Sequence, residues 1–259
     1  MKIRLSLLCA AAALAAVSCT KHPVQPLFGI AATDSLFSRN GISCNVEYRF
    51  ASILNAGDSP ALTAIEQANI DYFFELEDFS GTVQQAAAAS IGQFSDIYLA
   101  DSLLTGSTNM EYEISAESEG TVVDTLVSYT ITKWSYTGGA HGIYGTAGHV
   151  YSLAGGYELT LADLFTETQL AGMETLLRKK LYEEYETDSD EGLSEQGFFP
   201  ESIALTENFQ IGPAGITFIY NPYEIGCYAL GGVEVTFSGE ELEALKTGGS
   251  GNSGTSETE

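Results

Sequence analysis

Two kinds of hydrophobic periodicity occupy separate blocks of this chain, and their separation limits the folds that it can adopt. Apolar residues recur at every second position, as in half-buried β-strands, in residues 42–50, 112–116, 123–131, 214–220 and 233–237. They recur three or four positions apart, as in helices, in residues 62–76, 87–98 and 170–181. Because strands and helices come in blocks, without a regular strand–helix–strand rhythm, the sequence predicts an α+β fold. We expect helices packed on an antiparallel sheet, with two lobes forming one compact body.

Local signals predict where several of these elements begin and end. Residues 58–60 (Asp-Ser-Pro) form a helix start, with proline near the first turn. Glu119 and Gly120 predict the turn of an antiparallel hairpin. Ser238 is a candidate N-cap for a short last helix. Residues 192–200 are expected to be irregular.

The first 18 residues have the pattern of a signal peptide. Lys2 and Arg4 supply a positive start, and the apolar run that follows is shorter than the roughly 20 residues that span a bilayer. The run ends in Ala-Val-Ser before Cys19, which resembles a bacterial lipobox. We therefore expect cleavage before Cys19 and lipidation of that residue; the alternative is an ordinary secretory peptide cut near residue 16. The lipobox predicts a lipid-anchored protein of the bacterial cell envelope, at the outer membrane, with its body in the periplasm or at the surface.

Low-complexity composition marks both ends of the mature chain. Residues 19–38 contain proline and glycine without periodicity, which predicts a tether behind the lipidated cysteine. Residues 247–259 are rich in Gly, Ser and Thr and are expected to be disordered. The folded body between them is expected to form an N-terminal α+β lobe, residues 39–135, and a C-terminal α+β lobe, residues 136–246.

The charge balance narrows the classes of partner. The chain has 10 Lys and Arg against 35 Asp and Glu, a formal net charge of −25. A general nucleic-acid binder needs clusters of Lys and Arg for phosphate contacts, so we exclude that class. The acidic composition favours cationic or neutral partners.

Two cysteines remain in the expected folded body, Cys44 and Cys227. An oxidising compartment would permit a disulfide between them. The alternative is a pair of buried free thiols that pack as small hydrophobic side chains. The sequence leaves both open because it does not fix the distance between their Cα atoms.

The sequence contains no recognisable catalytic or cofactor motif. His141 and His149 are eight positions apart, and a zinc site needs about four ligands at characteristic spacing, so we expect two hydrogen-bonded histidines and no metal. The acidic run at residues 186–191 is expected to be a solvated loop. Nucleophile-elbow and phosphate-loop patterns are missing as well. We expect no cofactor and no enzymatic activity.

Several short strings carry a resemblance to known families. They are NFQI at 208–211, GITFIYNPYEI at 215–225, YALG at 228–231, GGAH at 138–141, and the Leu-Ala-Asp-Leu helix at 161–164. These strings resemble the domain-of-unknown-function family 3298, and residues 40–130 resemble the companion family 4163. The two-domain module is similar to the extracytoplasmic part of the RsiV anti-sigma factor and to a non-catalytic part of the PdaC peptidoglycan deacetylase. The first of these similarities implies a receptor for lysozyme, a basic protein that an acidic body would attract.

The NPYEI string is also the candidate ligand-binding surface. Pro222 makes a rigid corner, and tyrosines around it offer amphipathic rings of the kind found at binding surfaces. The candidate residues are His141, Tyr220, Tyr223, Glu224 and Tyr228. The alternative is that these rings pack a loop between the last two strands.

These observations lead to one main hypothesis and two alternatives. The main hypothesis is a cell-envelope lipoprotein with a non-catalytic binding module for lysozyme or another cationic protein, or for a peptidoglycan fragment. One alternative is an envelope carbohydrate-active hydrolase that uses paired carboxylates. The other is a purely structural envelope protein, which would have neither an exposed aromatic patch nor a large pocket.

Overall fold

The computed structural model describes residues 22–39, 41–98 and 110–248, and in this part of the chain two β-sheets carry six α-helices. The α+β fold class is therefore confirmed. The expected signal peptide, the lipidated Cys19 and residues 249–259 of the expected tail lie outside the described residues. Among the described helices, none combines the length and apolar character needed to cross a bilayer.

The larger sheet has five strands in the order β1-β2-β3-β4-β5. The strands are β1 (Phe28–Arg39), β2 (Ile42–Ile53), β3 (Met110–Val123), β4 (Leu126–Tyr136) and β5 (Ile143–Ser152). Strands β2 and β3 are parallel, and the other neighbours are antiparallel. The sheet is thus mixed and not purely antiparallel as expected. A long connection with helices α1 (Pro60–Phe74) and α2 (Val83–Tyr98) joins the parallel pair, as such crossovers require.

Strand β1 corrects the expectation of a tether that extends to residue 38. Residues 28–39 pair along their whole length with β2. The half-buried positions of β1 include Ala31, Thr33 and Ser35, which are small or polar and give no hydrophobic alternation. Main-chain hydrogen bonding and the packing of the Phe28 ring against Tyr129, with ring centroids 5.6 Å apart, hold this edge strand.

The hairpin turn between β3 and β4 lies at Asp124 and Thr125, not at Glu119 and Gly120. Asp124 has a positive φ of 56°, a conformation that Asp tolerates in turns. Gly120 instead lies within β3, where a Cβ atom would overlap the Phe28 ring. Gly120 therefore makes room for the Phe28 ring and does not form the turn.

Helix α1 begins where the sequence predicts. The Ser59 side chain accepts a hydrogen bond from the Leu62 backbone N–H at 3.1 Å, and Pro60 occupies the first helical position. The buried face of the helix packs on β2, where the Phe50 and Phe73 rings lie 5.1 Å apart edge to face. This packing fixes α1 across one face of the five-stranded sheet.

The C-terminal half contains the smaller sheet and four helices. Its elements are α3 (Leu161–Leu164), α4 (Glu167–Glu184), α5 (Asp190–Glu195), β6 (Phe209–Gly212), β7 (Gly215–Tyr220), β8 (Val233–Ser238) and α6 (Gly239–Gly248). The three strands are antiparallel in the order β6-β7-β8. Helix α5 occupies part of the stretch expected to be irregular. The predicted N-cap is present, since Ser238 Oγ accepts from the Glu241 N–H at 3.3 Å.

The free edge of β5 is one place where the two halves meet. The expected lobe boundary at residues 135 and 136 falls between β4 and β5, which pair with each other in one sheet. On the other side of β5, Asn208 Oδ1 accepts from the Gly148 N–H at 2.7 Å, and Asn208 Nδ2 donates to the Thr146 carbonyl at 2.8 Å. An amide side chain thus takes the place of a neighbouring strand.

Both cysteines of the body are free thiols, so the candidate disulfide is not formed. Cys44 lies on β2, buried in the core between the larger sheet and its helices. Cys227 belongs to the C-terminal half, where its Sγ lies beside Gly197. Their side chains sit in different parts of the molecule, and burial raises the pKa of the Cys44 thiol to about 11.

Candidate functional site

The corner that follows β7, residues 221–224, is held in one conformation by hydrogen bonds. The Glu224 carboxylate accepts from the Asn221 backbone N–H at 2.9 Å and from the Asn221 side-chain amide at 3.3 Å. The Glu224 N–H in turn donates to the Asn221 carbonyl at 3.0 Å. Between them, Tyr223 has a φ of 76°, a left-handed conformation that is unusual for a bulky residue. The corner therefore presents the Tyr223 side chain outward, 61% exposed.

Three aromatic rings from two segments form a continuous surface, which we call the aromatic ladder: His141, Tyr228 and Tyr223. The His141 and Tyr228 rings stack with centroids 4.2 Å apart and planes inclined by 23°. The Tyr228 and Tyr223 rings follow at 5.5 Å and 33°. The Tyr228 hydroxyl donates to the Gly142 carbonyl at 2.9 Å, which ties the GGAH turn to the corner. Candidate residues more than 80 positions apart in the sequence are thereby brought into one site.

Tyr220 does not belong to this surface. It is buried at the end of β7, and its hydroxyl donates to the Ala204 carbonyl at 2.7 Å. Burial raises its pKa above the usual range. Tyr220 is a core residue, consistent with its place in the alternating run of β7. Glu224 is exposed, and its carboxylate also positions the corner through Asn221.

A second cluster surrounds His149, which the sequence predicted to be hydrogen-bonded without indicating its partners. His149 Nδ1 lies 2.7 Å from Glu158 Oε1, the Tyr72 hydroxyl donates to Glu158 Oε2 at 2.9 Å, and the Tyr72 ring stacks on the imidazole at 4.0 Å. Partial burial acts to raise the pKa of Glu158, but the contacts with His149 and Tyr72 outweigh it and lower that pKa. Within the described ranges, no three His, Cys, Asp or Glu side chains are grouped so as to hold a metal ion.

A cavity of about 780 Å³ lies beside the corner, between the larger sheet and helices α1 and α2. Asn221 and Pro222 form part of its wall, so the corner separates the cavity from the exposed Tyr223. Lys133 and Trp134 on β4 also line it. The sequence gives no direct signal for this cavity, because its wall comes from two helices, four strands and the corner, which are far apart in the chain.

The comparison with known proteins supports one of the two expected families. Residues 162–239 match a family model described as "Protein of unknown function (DUF3298)". This match confirms the resemblance to family 3298 for that part of the chain. The resemblance of residues 40–130 to family 4163 stays a prediction. No curated protein matches the chain.

Two solved structures share the fold over most of the chain. A member of the DUF3298 family from Bacteroides fragilis superposes with a TM-score of 0.76 at 26% identity, covering 86% of this chain and 94% of that one. A DUF3298 family protein from Pseudomonas aeruginosa superposes with a TM-score of 0.59 at 17% identity, covering 85% of this chain and 94% of that one. The similarity therefore extends beyond residues 162–239 to the five-stranded sheet.

Proposed function

We propose that this protein is a cell-envelope lipoprotein whose body is a non-catalytic module that binds a cationic protein such as lysozyme. The observation that carries the proposal is the aromatic ladder. Its rings come from two segments, are locked by hydrogen bonds, and end in an exposed tyrosine. Preorganised tyrosines supply contact area with little loss of side-chain entropy on binding.

The conformation of Tyr223 supports a binding role for the ladder. A left-handed backbone at a bulky residue costs free energy, and such strain is found where surrounding contacts over-determine the geometry. Here the contacts are those between Asn221 and Glu224. The ring that this strain presents makes no contribution to the core, since it is largely exposed.

The charge of the molecule supports a basic partner. With 35 acidic against 10 basic residues, the body would attract a basic protein and accelerate its encounter. Charge alone gives little specificity, so the ladder would provide the short-range contacts. The signal pattern and Cys19 would place this module in the envelope, tethered by lipid, where a secreted basic protein could reach it.

The test is calorimetric titration of the full chain with hen lysozyme and, separately, with cytochrome c, a basic protein of similar size. The proposal predicts saturable binding of lysozyme that weakens between about 50 mM and about 300 mM salt without vanishing, because only the charge contribution is screened. It predicts weaker binding of cytochrome c. Equal binding of both proteins, lost at the higher salt, would reduce the interaction to charge attraction. No binding at the lower salt would contradict the proposal.

A further inference from the structure

The cavity beside the corner has the size of a small-molecule site. Its volume of about 780 Å³ lies within the range of roughly 300–1,000 Å³ that is usual for such sites. It is separate from the aromatic ladder, so an inference about it does not depend on the function proposed above.

Small residues in the sheet create this space. On β4, Lys133 has Ala116 of β3 as its cross-strand neighbour on one side and Gly145 of β5 on the other. Neither neighbour has a side chain long enough to fill the gap up to the helices. Helix α2 closes the space with one face, on which Phe94 and Ile97 are three positions apart.

Four polar side chains of the wall form two pairs. The Tyr48 and Ser90 hydroxyls lie 3.1 Å apart. Lys133 Nζ donates to Glu75 Oε1 at 2.8 Å and to the Tyr72 carbonyl at 2.9 Å. In the described part of the chain, no buried side-chain nitrogen or oxygen lacks a hydrogen-bond partner. A ligand that bonds to these four side chains would have to displace existing hydrogen bonds.

The apolar part of the wall, by contrast, is left in contact with solvent. Ile97 is 68% exposed and Ile143 is 69% exposed, and both line the cavity. Phe94 on α2 also lines the cavity. Such a surface gains free energy when an aliphatic chain covers it, at about 25 cal/mol per Å² of apolar area removed from water.

The cavity wall also carries a positively charged side chain, which is uncommon in this acidic protein. Among the described residues of the wall, Lys133 is the one lysine or arginine. Its ammonium has three donors, and two of them are used by Glu75 and Tyr72. The Glu75 side chain is 75% exposed, so a ligand carboxylate could take its place or use the third donor.

We propose that this cavity binds an aliphatic monocarboxylate, of the fatty-acid type. The chain would lie against Phe94, Ile97 and Ile143, and the carboxylate would pair with Lys133. Beside the Glu75 carboxylate, the wall offers exposed apolar side chains and one cation, which together fit an amphipathic anion better than a neutral sugar.

The experiment is a calorimetric titration of the full chain with dodecanoate, kept below its micelle concentration. We expect saturable binding of dodecanoate and about tenfold weaker binding of 1-dodecanol, which has the same chain without the charge. No binding of dodecanoate would overturn the proposal.

Three variants separate the chain contact from the charge contact. Ile143→Asp puts a negative charge on the rim at an exposed position and should weaken dodecanoate binding at least about tenfold. Ile30→Asp is the matched control, because Ile30 is similarly exposed at 62% but lies on β1, and it should bind as the unmodified chain does. Lys133→Met should remove the preference for the acid over the alcohol. Equal binding by Ile143→Asp and Ile30→Asp, or an unchanged preference in Lys133→Met, would contradict the assignment.

Discussion

The Asn221 side chain hydrogen-bonds both backbone groups of Thr146. Its Oδ1 accepts from the Thr146 N–H at 2.7 Å, and its Nδ2 donates to the Thr146 carbonyl at 3.1 Å. Thr146 lies on β5, the last strand of the larger sheet, while Asn221 belongs to the corner after β7. Asn221 therefore pairs with backbone groups at the edge of the larger sheet and joins the two halves. It also fixes the start of the corner that carries Tyr223 of the aromatic ladder.

The loss of this contact should be costly. Asn221→Ala leaves the Thr146 N–H without its side-chain partner, and an unsatisfied backbone group costs about 1–3 kcal/mol when buried. We expect a decrease of that order in the free energy of unfolding in urea. Asn45→Ala is the control, since the Asn45 amide donates to the Glu47 side chain at an exposed site, at 3.1 Å. Equal stability of the two variants would contradict the role given to Asn221.

The close approach of the two halves at Gly148 leads to a second prediction. A Cβ atom there would overlap the Phe209 carbonyl group, which is backbone and cannot turn away. Gly148→Ala should therefore destabilise the protein by about 1–3 kcal/mol. Gly212→Ala, at a position where nothing lies within 4 Å of the added atom, should change stability far less in the same urea experiment. A neutral Gly148→Ala would show that the halves are not packed this closely.

The C-terminal core should depend on helix α4. Leu177 is fully buried against the smaller sheet, so Leu177→Ala should cost about 2–5 kcal/mol of unfolding free energy. Leu36→Ala removes the same atoms from a side chain that is 76% exposed on β1, and should stay within about 0.5 kcal/mol. Thermal or urea unfolding followed by circular dichroism measures both. Similar losses would argue against the packing of α4.

The lowered pKa of Glu158 makes its contribution dependent on pH. A carboxyl group whose pKa is lower in the folded state stabilises the protein above its unfolded pKa of about 4.5, and this contribution is lost as the pH falls through the folded pKa. His149 and Tyr72 are the groups that face it. The stability difference between the unmodified chain and Glu158→Gln should therefore shrink between pH 6 and acidic pH. The control variant Glu119→Gln, at an exposed position, should show no such trend. A stability difference for Glu158→Gln that stays constant with pH would contradict this interpretation.

The elements that sequence predicted well are those whose signal is local. Helix α1 combines helical spacing with a serine cap and a proline at its first position, and α4 (Glu167–Glu184) contains the helical spacing found in residues 170–181. Strand β1 was missed because its inner positions between Phe28 and Phe37 are small or polar. The parallel pairing of β2 and β3 was missed because alternation has the same period in parallel and antiparallel strands.

The candidate site shows the same division between local and distant information. His141, Tyr223 and Tyr228 come together as expected. Tyr220 could have been excluded, since it continues the inward alternation of β7. The contact of Tyr72 with Glu158 joins residues 86 positions apart and has no local signature. The cavity at Lys133 depends on two small neighbours from other strands, which only the register reveals.

The measurement that tests the central claim most directly compares lysozyme binding by two tyrosine variants of the full chain. Tyr223→Ala removes the outer ring of the ladder. Tyr157→Ala removes a tyrosine with nearly the same exposure, 60% against 61%, which follows the opposite end of β5. Both leave the net charge unchanged.

We predict that Tyr223→Ala binds lysozyme about tenfold or more weakly at physiological salt, a loss expected for an aromatic contact residue, while Tyr157→Ala binds as the unmodified chain does. Calorimetric titration gives both affinities. Equal affinities for the two variants would contradict the assignment of the aromatic ladder as the binding surface.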